Sequence, residues 1–433
     1  MAIISFLLLF VALFIGIPVP FAFFASTLFL VISRGYSPSF LLPYSYGKMS
    51  ALVLLAIPLF IMAGELIEKG KIGEKLIDLV DIIVGRVRGG LGVVMVVSCA
   101  VFGTVTGSAV ATETVIGSIM LPRLEQSGYP KSWNASLIAS SAVLGMLIPP
   151  STIMILYAWV GNQSVLACFL SSVIPGIIMT VLLSLINIWW LRNNKNIKIK
   201  KNIGSKTLIK EFGKKFYIAI PALLMPVIVL GGIYSGIMTP TEAAAIAVLY
   251  AIPVGLFIYK GLNARIIFES IVNSANNTGI IMVMLFSIMM LSRLYIMEDL
   301  PGAIMNFFES ISSNKHIILI MVNFFLIIIG MLMDDVSGVL LATPLFIPII
   351  IQLGVSPIQF AAIIGVNLGL GNITPPCAPL LYLGINLAKA SSREVFYPTF
   401  ITIIFAWIPT LILTTYVPEL SLFLPRLLLG IVR

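Results

Sequence analysis

Long apolar segments separated by short polar connectors run along almost the whole chain. Apolar runs of about 20 residues, the length of a membrane-spanning helix, recur, for example over 170–191, 216–234 and 279–297. These runs are continuous, whereas the strands of a membrane β-barrel alternate apolar and polar residues over about 10 positions. The pattern therefore predicts an all-α polytopic membrane protein.

A helix-breaking motif occurs twice within the apolar segments. Residues 145–151 read GMLIPPS and residues 371–377 read GNITPPC, at an offset of 226 residues. The same offset aligns Gly128 with Gly354 and Leu144 with Leu370. In secondary transporters, interrupted helices at corresponding places of two repeats surround the substrate and ion site near the bilayer midplane. The chain is therefore predicted to be a solute transporter with two related halves.

We predict that the halves are inverted repeats, since an odd number of spans before the second half reverses its orientation. The first repeat covers 1–191 and the second 216–433, and a basic linker at 192–215 joins them. Each repeat contains a re-entrant hairpin and a helix broken at the Pro-Pro pair. The hairpins are predicted at about 91–126 and 316–353, and the broken helices at about 133–160 and 357–388.

Two segments of the first repeat belong to neither the hairpin nor the broken helix. The apolar stretch 3–33 is divided by Pro18 and Pro20, so it forms either one kinked span or two short helices. It lacks the basic start and small-residue cleavage site of a signal peptide, so we expect it to belong to the mature membrane domain. Residues 65–88 mix charged and apolar residues at helical spacing, which predicts a helix along the membrane interface.

Composition and charge support this class and exclude others. The chain is 59% hydrophobic and 10% charged, whereas soluble domains are about 25% charged. The net charge of +9 comes from connectors beside spans, above all the linker, so the positive-inside rule explains it without a nucleic-acid partner. The linker should then be cytoplasmic. Three scattered cysteines have no metal-ligand or disulfide pattern.

The breaks supply chemistry for ions and anions. Proline lacks an amide hydrogen, so Pro149-Pro150 and Pro375-Pro376 leave carbonyl oxygens without helical partners, and these suit Na⁺. The half-helices that begin there offer free amides to an anionic substrate. Neutral side-chain oxygens could line the same sites, or could only cap helices and bond to backbone carbonyls. They are Thr104, Thr106, Ser108, Thr112 and Ser151 in the first half, and Ser337, Asn367, Asn372 and Thr374 in the second.

Acidic residues within the apolar segments are costly and usually functional. Glu113 follows the first hairpin tip, and Asp334 and Asp335 occupy the second. Glu242 follows Thr239 and Pro240, a pattern typical of a helix N-terminus, so a capping role is expected for it. The single histidine, His316, starts a hairpin arm at the surface and is not expected to relay protons.

Several stretches resemble the large permease subunit of tripartite ATP-independent periplasmic (TRAP) transporters, and the resemblance covers nearly the whole chain. The stretches are 55–60 (LAIPLF), 102–112 (FGTVTGSAVAT), 116–122 (IGSIMLP), 232–245 (GIYSGIMTPTEAAA) and both Pro-Pro breaks. The resemblance implies a Na⁺-driven elevator transporter of the ion-transporter superfamily, in the bacterial inner membrane. It also implies a small four-helix membrane subunit and a periplasmic substrate-binding protein as partners. The substrate would be an organic acid, such as a dicarboxylate, sialic acid or another sugar acid.

The resemblance also implies positions for the ligands, carried onto the matching motifs. The first Na⁺ site would comprise Thr106, Gly107, Ser108, Gly145, Ile148 and Pro150. The second would comprise Asp334, Ser337, Gly338, Gly371, Thr374 and Pro376. Candidate substrate-binding residues are Thr112, Glu113, Ser151, Asn372 and Cys377. Three of these depart from the family pattern, which has small or apolar residues in place of Glu113, Asn372 and Cys377.

Other functions have less support. A stand-alone Na⁺/dicarboxylate symporter of the same superfamily is the nearest alternative, because it would share the hairpins and breaks. A channel would need a continuous pore lined by polar rings. A membrane enzyme would need clustered nucleophiles, bases or metal ligands. No phosphate-binding loop is present, so the chain does not itself hydrolyse ATP, and no enzymatic activity is expected.

Overall fold

The computed structural model describes residues 1–85, 87–198 and 205–430. This part of the chain is helical and contains no strand. Seven of its helices are long and apolar enough to cross a membrane, or up to nine if each of two bent helix pairs counts as one span. The predicted all-α polytopic class is confirmed.

The helices follow one another with short connections, because apolar runs are broken mainly at Gly, Pro and polar pairs. In the first half they are α1 (Ala2–Phe14), α2 (Val19–Arg34), α3 (Leu41–Met49), α4 (Ala56–Lys69), α5 (Ile72–Val84), α6 (Gly90–Thr106), α7 (Ala109–Gln126), α8 (Lys131–Ala142), α9 (Leu144–Leu147), α10 (Thr152–Val160) and α11 (Val165–Leu191). In the second half they are α12 (Ser205–Tyr234), α13 (Pro240–Pro253), α14 (Ala264–Met297), α15 (Leu300–Ile311), α16 (Lys315–Leu332), α17 (Asp335–Gln352), α18 (Pro357–Ile373), α19 (Pro379–Ala388), α20 (Ser392–Thr402), α21 (Ile408–Tyr416) and α22 (Glu419–Leu429).

Two helix pairs occupy the ranges predicted for re-entrant hairpins. We call α6 with α7 hairpin 1, and α16 with α17 hairpin 2. Hairpin 1 turns at Gly107, whose φ of 60° lies in the left-handed region that favours glycine. Ser108 then caps α7, its hydroxyl accepting a hydrogen bond from the amide of Ala111. Hairpin 2 turns at 333–334, and Asp334 caps α17 in the same manner.

Two helices are broken where the prolines predict. Break 1 (145–151) separates α8 and α9 from α10, and the chain bends there by 48°. Break 2 (371–377) separates α18 from α19. Each break has a cis peptide bond between its two prolines. The missing proline amides end one helix and allow the next to start in a new direction.

Inter-helix contacts identify the side of the molecule on which each hairpin opens. The open end of hairpin 1 lies beside the start of the linker, where the Lys198 amide donates to the Ser127 carbonyl at 3.0 Å. Hairpin 2 leads into α18, whose first carbonyl, that of Pro357, accepts a hydrogen bond from Tyr157 of α10 at 2.5 Å. Tyr157 lies beyond break 1, away from the linker. The hairpins therefore open towards opposite ends of the molecule, while the predicted repeat symmetry stays a prediction.

Some element boundaries differ from the sequence interpretation. The stretch 3–33 forms two helices, α1 and α2, which pack against each other. The helix α12 starts at Ser205, inside the predicted linker 192–215, and residues 199–204 of that linker lie outside the described residues. The predicted interface helix 65–88 is wrong at its start, because α4 continues to Lys69. Only α5 has the predicted amphipathic character, with Leu76 and Val80 buried.

Candidate functional site

The tips of both hairpins line one cavity. It has a volume of about 590 Å³ and lies between the tips and two helices of the remaining molecule, α4 and α14. We refer to it as the central cavity. The tips contribute Thr106, Gly107, Ser108, Asp334, Asp335 and Val336. Residues that are more than 220 positions apart in the chain are thus brought to one place.

Hairpin 1 contacts break 1 through main-chain atoms. The amide of Thr152 donates to the Gly107 carbonyl at 3.2 Å. A Cβ atom on Gly107 would lie 2.7 Å from the Pro150 carbonyl oxygen, so only glycine allows this approach. The tip and the break of the first half therefore contact each other directly.

Glycines also bring the arms of hairpin 1 against break 1. A Cβ atom on Gly103 would lie 2.6 Å from the Cα of Gly145, and one on Gly145 would lie 2.8 Å from the Ser108 carbonyl oxygen. Ile148 belongs to the same break, but its side chain packs against Gly176 of α11. Of the six residues predicted for the first Na⁺ site, five therefore cluster at this junction, whereas the Ile148 side chain points to α11.

The tip of hairpin 2 carries a carboxylate that already has partners. Asp334 accepts hydrogen bonds from the amide of Val336 at 3.2 Å and from the hydroxyl of Ser337 at 2.5 Å. Ser337 is fully buried. A Cβ atom on Gly338 would lie 2.8 Å from Leu368 of α18. The second tip is thus held against the broken helix that the sequence pairs with it.

Break 2 is less enclosed than break 1. Gly371 packs against hairpin 2, since a Cβ atom there would lie 2.6 Å from the Cα of Gly330. Thr374 and Pro376 have other partners: the Thr374 hydroxyl donates to the Leu370 carbonyl at 2.6 Å, and the Pro376 carbonyl accepts from Tyr382 at 3.0 Å. The structure therefore joins Gly371 directly to hairpin 2, but not the polar groups of Thr374 or Pro376.

The five candidate substrate-binding residues do not line the central cavity. Thr112 is buried and shares a hydrogen bond of 3.0 Å with Thr106, and Ser151 donates to the Met146 carbonyl at 2.5 Å. The Thr112 hydroxyl therefore bonds within hairpin 1 and the Ser151 hydroxyl within break 1.

The other three candidates lie in different environments. Glu113 is fully buried on the side of α7 that packs against α19. A Cβ atom on Gly384 of α19 would lie 2.8 Å from its Oε1. Asn372 is 1% exposed, and its amide oxygen and nitrogen have no hydrogen-bond partner within the described ranges. Cys377 is exposed.

The sequence interpretation missed the opposite wall of the central cavity. This wall includes Glu65, Glu68 and Lys69 of α4 with Asn273 and Asn277 of α14. The two glutamates are three positions apart and the two asparagines four, so each pair shares one face of its helix. The sequence signal for this wall is the presence of polar pairs at helical spacing inside an apolar segment or at its end. The sequence interpretation places Glu65 and Glu68 in the interface helix and therefore does not bring them to the site.

The charges of the cavity lining favour cations. Four carboxyl side chains, those of Glu65, Glu68, Asp334 and Asp335, face a single ammonium group, that of Lys69, among the described lining residues. One Glu65 oxygen is buried without a hydrogen-bond partner in this part of the chain. When these carboxyl groups are ionised, an anion entering the cavity meets net negative charge, whereas a cation is attracted.

Glu242 lies away from the cavity and has the capping role that the sequence predicts. Its carboxylate accepts from the Thr239 amide at 2.7 Å, and its own amide donates to the Thr239 hydroxyl at 3.3 Å. These reciprocal bonds are a capping box at the start of α13.

Comparisons with known proteins agree with this architecture. A family model described as "Tripartite ATP-independent periplasmic transporter, DctM component" matches residues 6–420. The chain is 33% identical over 393 residues to the C4-dicarboxylate TRAP transporter large permease protein DctM of Rhodobacter capsulatus, covering 87% of each protein. It is 30% identical to the isethionate TRAP transporter permease protein DctMQ of Oleidesulfovibrio alaskensis, over 95% of this chain and 64% of that longer protein.

A solved structure has the same fold. The chain superposes on the YdaH transporter of Alcanivorax borkumensis, described as having an unusual topology, with a TM-score of 0.60. The match covers 88% of this chain and 87% of the other at 15% identity, so it bears on the fold alone.

Proposed function

This chain belongs to the DctM family of large TRAP permeases and is a multi-pass protein of the inner membrane, and from that premise we propose that it imports an organic acid by Na⁺-coupled elevator transport. The observation that carries the proposal is the meeting of both hairpin tips at the central cavity. Each tip is attached to its own broken helix, and α4 and α14 face them across the cavity. Such an arrangement suits a substrate held between a moving and a fixed part of the protein.

Main-chain oxygens at the first tip support a Na⁺ site there. The Pro150 carbonyl oxygen lies against Gly107, where a Cβ atom would be 2.7 Å from it, and the Gly107 carbonyl lies at the same junction, where it accepts the Thr152 amide. Oxygen ligands of this kind suit hard cations. In this proposal Thr106 and Ser108 complete the site with neutral hydroxyl oxygens.

A carboxylate and an unpartnered amide support the second Na⁺ site. Asp334 brings negative charge to the tip of hairpin 2, and Asn372 of break 2 has a buried side-chain oxygen without a partner in the described residues. A cation would be attracted by the charge of Asp334 and would give the Asn372 side-chain oxygen a partner, and buried polar atoms without partners are costly. Gly371 holds the break against hairpin 2.

The acidic lining also indicates an order of binding. With Glu65, Glu68, Asp334 and Asp335 around it, an organic anion would be repelled until cations neutralise part of this charge. We therefore propose that Na⁺ binds before the anion and that this order couples the two fluxes. Amides at the starts of α7 and α17, together with Lys69, Asn273 and Asn277, are then available to the anion.

The family membership supports a proposal for the substrate class and for the partners. Relatives of this chain are named as TRAP permeases for C4-dicarboxylates and for isethionate, so a carboxylate or sulfonate substrate is proposed. We further propose that a small four-helix membrane subunit packs on the permease and that a periplasmic binding protein delivers the substrate.

Reconstitution in proteoliposomes tests the proposal. The permease and its small membrane partner would be supplied with labelled C4-dicarboxylate, isethionate or sialic acid, with and without the binding protein and an inward Na⁺ gradient. Uptake that requires both the gradient and the binding protein is expected. Uptake that needs Na⁺ alone would instead identify a stand-alone symporter, and Na⁺-independent uptake would contradict ion coupling.

A further inference from the structure

Glu113 is a buried carboxyl group that the transport proposal does not use. It lies on α7, five positions after the tip residue Ser108, and its exposure is 0%. Within the described residues neither of its carboxyl oxygens has a hydrogen-bond partner. It does not line the central cavity, so neither substrate nor cavity water solvates it.

Three helices enclose this carboxyl group. Its Oε1 and the main-chain oxygen of Ala135 in α8 both lie 2.8 Å from the position that a Cβ atom on Gly384 of α19 would take. The absent side chain of Gly384 therefore leaves the space that the carboxyl occupies. Cys99 of α6 lies close enough for its thiol to interact electrostatically with an ionised Glu113. The neighbouring groups are thus a carbonyl, a thiol and apolar atoms.

Among the described residues, no cation pairs with the carboxyl group of Glu113. The neighbouring residues of α8 and α19, Ala135, Ile138 and Gly384, are not titratable, and the Cys99 thiol is neutral at ordinary pH. On α7 itself, Arg123 is about 15 Å further along the helix and pairs with Asp78 of α5 at 3.2 Å. An isolated carboxylate in such surroundings is very unfavourable.

We propose that Glu113 is a proton-binding site within hairpin 1, which holds one proton as the neutral carboxylic acid and donates its O–H towards the Ala135 carbonyl. The proton is the ligand because a metal cation would need several oxygen ligands, whereas the recorded surroundings offer one carbonyl beside the carboxyl. In this form the group joins α7 to α8 and α19, so hairpin 1 and both neighbouring helices can move through the membrane without a buried charge. The inference goes beyond the proposed Na⁺ coupling and does not depend on it.

A bound proton makes stability depend on pH with a definite sign. An exposed glutamic acid releases its proton above about pH 4.3, so above that value the folded protein holds one proton more than the unfolded chain does. Stability then falls as pH rises, by up to about tenfold in the unfolding equilibrium constant per pH unit for this one site. The fall ends where the buried acid itself ionises.

Infrared spectroscopy and thermal unfolding of the full-length protein test the site without any transport assay. The variants are Glu113→Gln, a neutral group of the same shape, and the matched control Glu125→Gln, on the same helix but exposed and paired with Lys131 at 2.9 Å. At about pH 7, the infrared spectrum of the wild type minus that of Glu113→Gln should show the carbonyl band of a protonated carboxyl group. The spectrum of the wild type minus that of Glu125→Gln should show carboxylate bands.

The unfolding temperature of the wild type, relative to that of Glu113→Gln, should fall as pH rises from about 5 to about 9, while Glu125→Gln should follow the wild type. If Glu113→Gln does not fold, Glu113→Leu removes the same proton site with an apolar side chain of similar size. A carboxylate band assigned to Glu113 at neutral pH, or parallel pH profiles for wild type and the Glu113 variant, would overturn the proposal.

Discussion

At the scale of single residues, Asp334 combines a structural and an electrostatic role. Its carboxylate accepts the Val336 amide and the Ser337 hydroxyl and also faces the central cavity. Asparagine can keep the capping bond to Val336, because Asn and Asp are about equally good N-caps, but it removes the negative charge. The substitution Asp334→Asn therefore separates the two roles.

We expect Asp334→Asn to lower the apparent affinity for Na⁺ by about tenfold, the effect of losing about 1.4 kcal/mol of interaction, with little loss of stability. The measurement is Na⁺ activation of uptake at saturating substrate, with thermal unfolding in parallel. Glu242→Gln is the control, because that carboxylate also caps a helix but lies outside the cavity. Unchanged Na⁺ activation in Asp334→Asn would remove Asp334 from the ion site.

Sequence reasoning identified some residues of the cavity and not others, for a physical reason. Tip residues such as Ser108 and Asp334 could be predicted because glycine and a capping side chain mark a turn within an apolar run. The facing residues Glu65 and Asn273 could not be assigned, since polar residues on a helix look the same whether they face lipid headgroups, a partner or a cavity. Only the packing of α4 and α14 against the tips distinguishes these cases.

At the scale of helical elements, glycines set how closely the two main chains approach. Gly103 of α6 lies against Gly145 of break 1, where a Cβ atom would be 2.6 Å from a main-chain carbon. Main chain cannot move aside as the end of a flexible side chain can. The junction between hairpin 1 and break 1 is therefore sensitive to a single added methyl group.

Gly103→Ala is expected to destabilise the protein by about 1–3 kcal/mol through overpacking, and to weaken Na⁺ activation because the first tip is displaced from the Pro150 carbonyl. Thermal unfolding and Na⁺-dependent uptake are the measurements. The matched control is Gly231→Ala in α12, where a Cβ atom would meet nothing within 4 Å and alanine favours the helix. Equal unfolding temperatures for Gly103→Ala and wild type would show that this contact does not constrain the junction.

Helix boundaries show the same division between what the sequence determines and what packing decides. The breaks at Pro149-Pro150 and Pro375-Pro376 were predictable, because a missing amide and a ring clash act locally. The end of α4 was not, since Glu65, Glu68 and Lys69 favour a helix equally well in a span or at an interface. Contacts made by Gly70 with Gly255 and Gly261 of the 254–262 segment fix where this helix ends.

At the scale of the whole molecule, the proposed mechanism requires α4 and α14 to stay fixed while the hairpins move. A surface cluster connects α14 to α2: Glu298, which follows α14, accepts hydrogen bonds from Tyr36 at 2.6 Å and from Arg34 at 2.7 Å. The Tyr36 hydroxyl, followed by the Arg34 guanidinium, holds the pKa of Glu298 below its usual range. The C-terminal end of α14 is thus tied to the end of α2.

Elevator movement predicts that a covalent bond across this boundary stops transport. Gly64 of α4 faces Thr106 at the tip of hairpin 1, and a Cβ atom on Gly64 would lie 3.6 Å from the Cβ of Thr106. This separation falls within the range of about 3.5–4.5 Å found in disulfides. The pair Gly64→Cys and Thr106→Cys should therefore form a disulfide on oxidation, in a background where the exposed Cys377 is replaced by serine.

Oxidation of the double-cysteine protein should reduce Na⁺-driven uptake to background, and a reducing agent should restore it to the level of the unoxidised protein. Each single-cysteine variant controls for the substitutions, since neither can form this bond and both should ignore the oxidant. A fixed-site mechanism, in which gates open on either side of an immobile tip, would instead tolerate the bond. Full uptake by protein shown to be cross-linked would therefore exclude sliding of hairpin 1 past α4, because the disulfide keeps positions 64 and 106 covalently joined throughout the cycle.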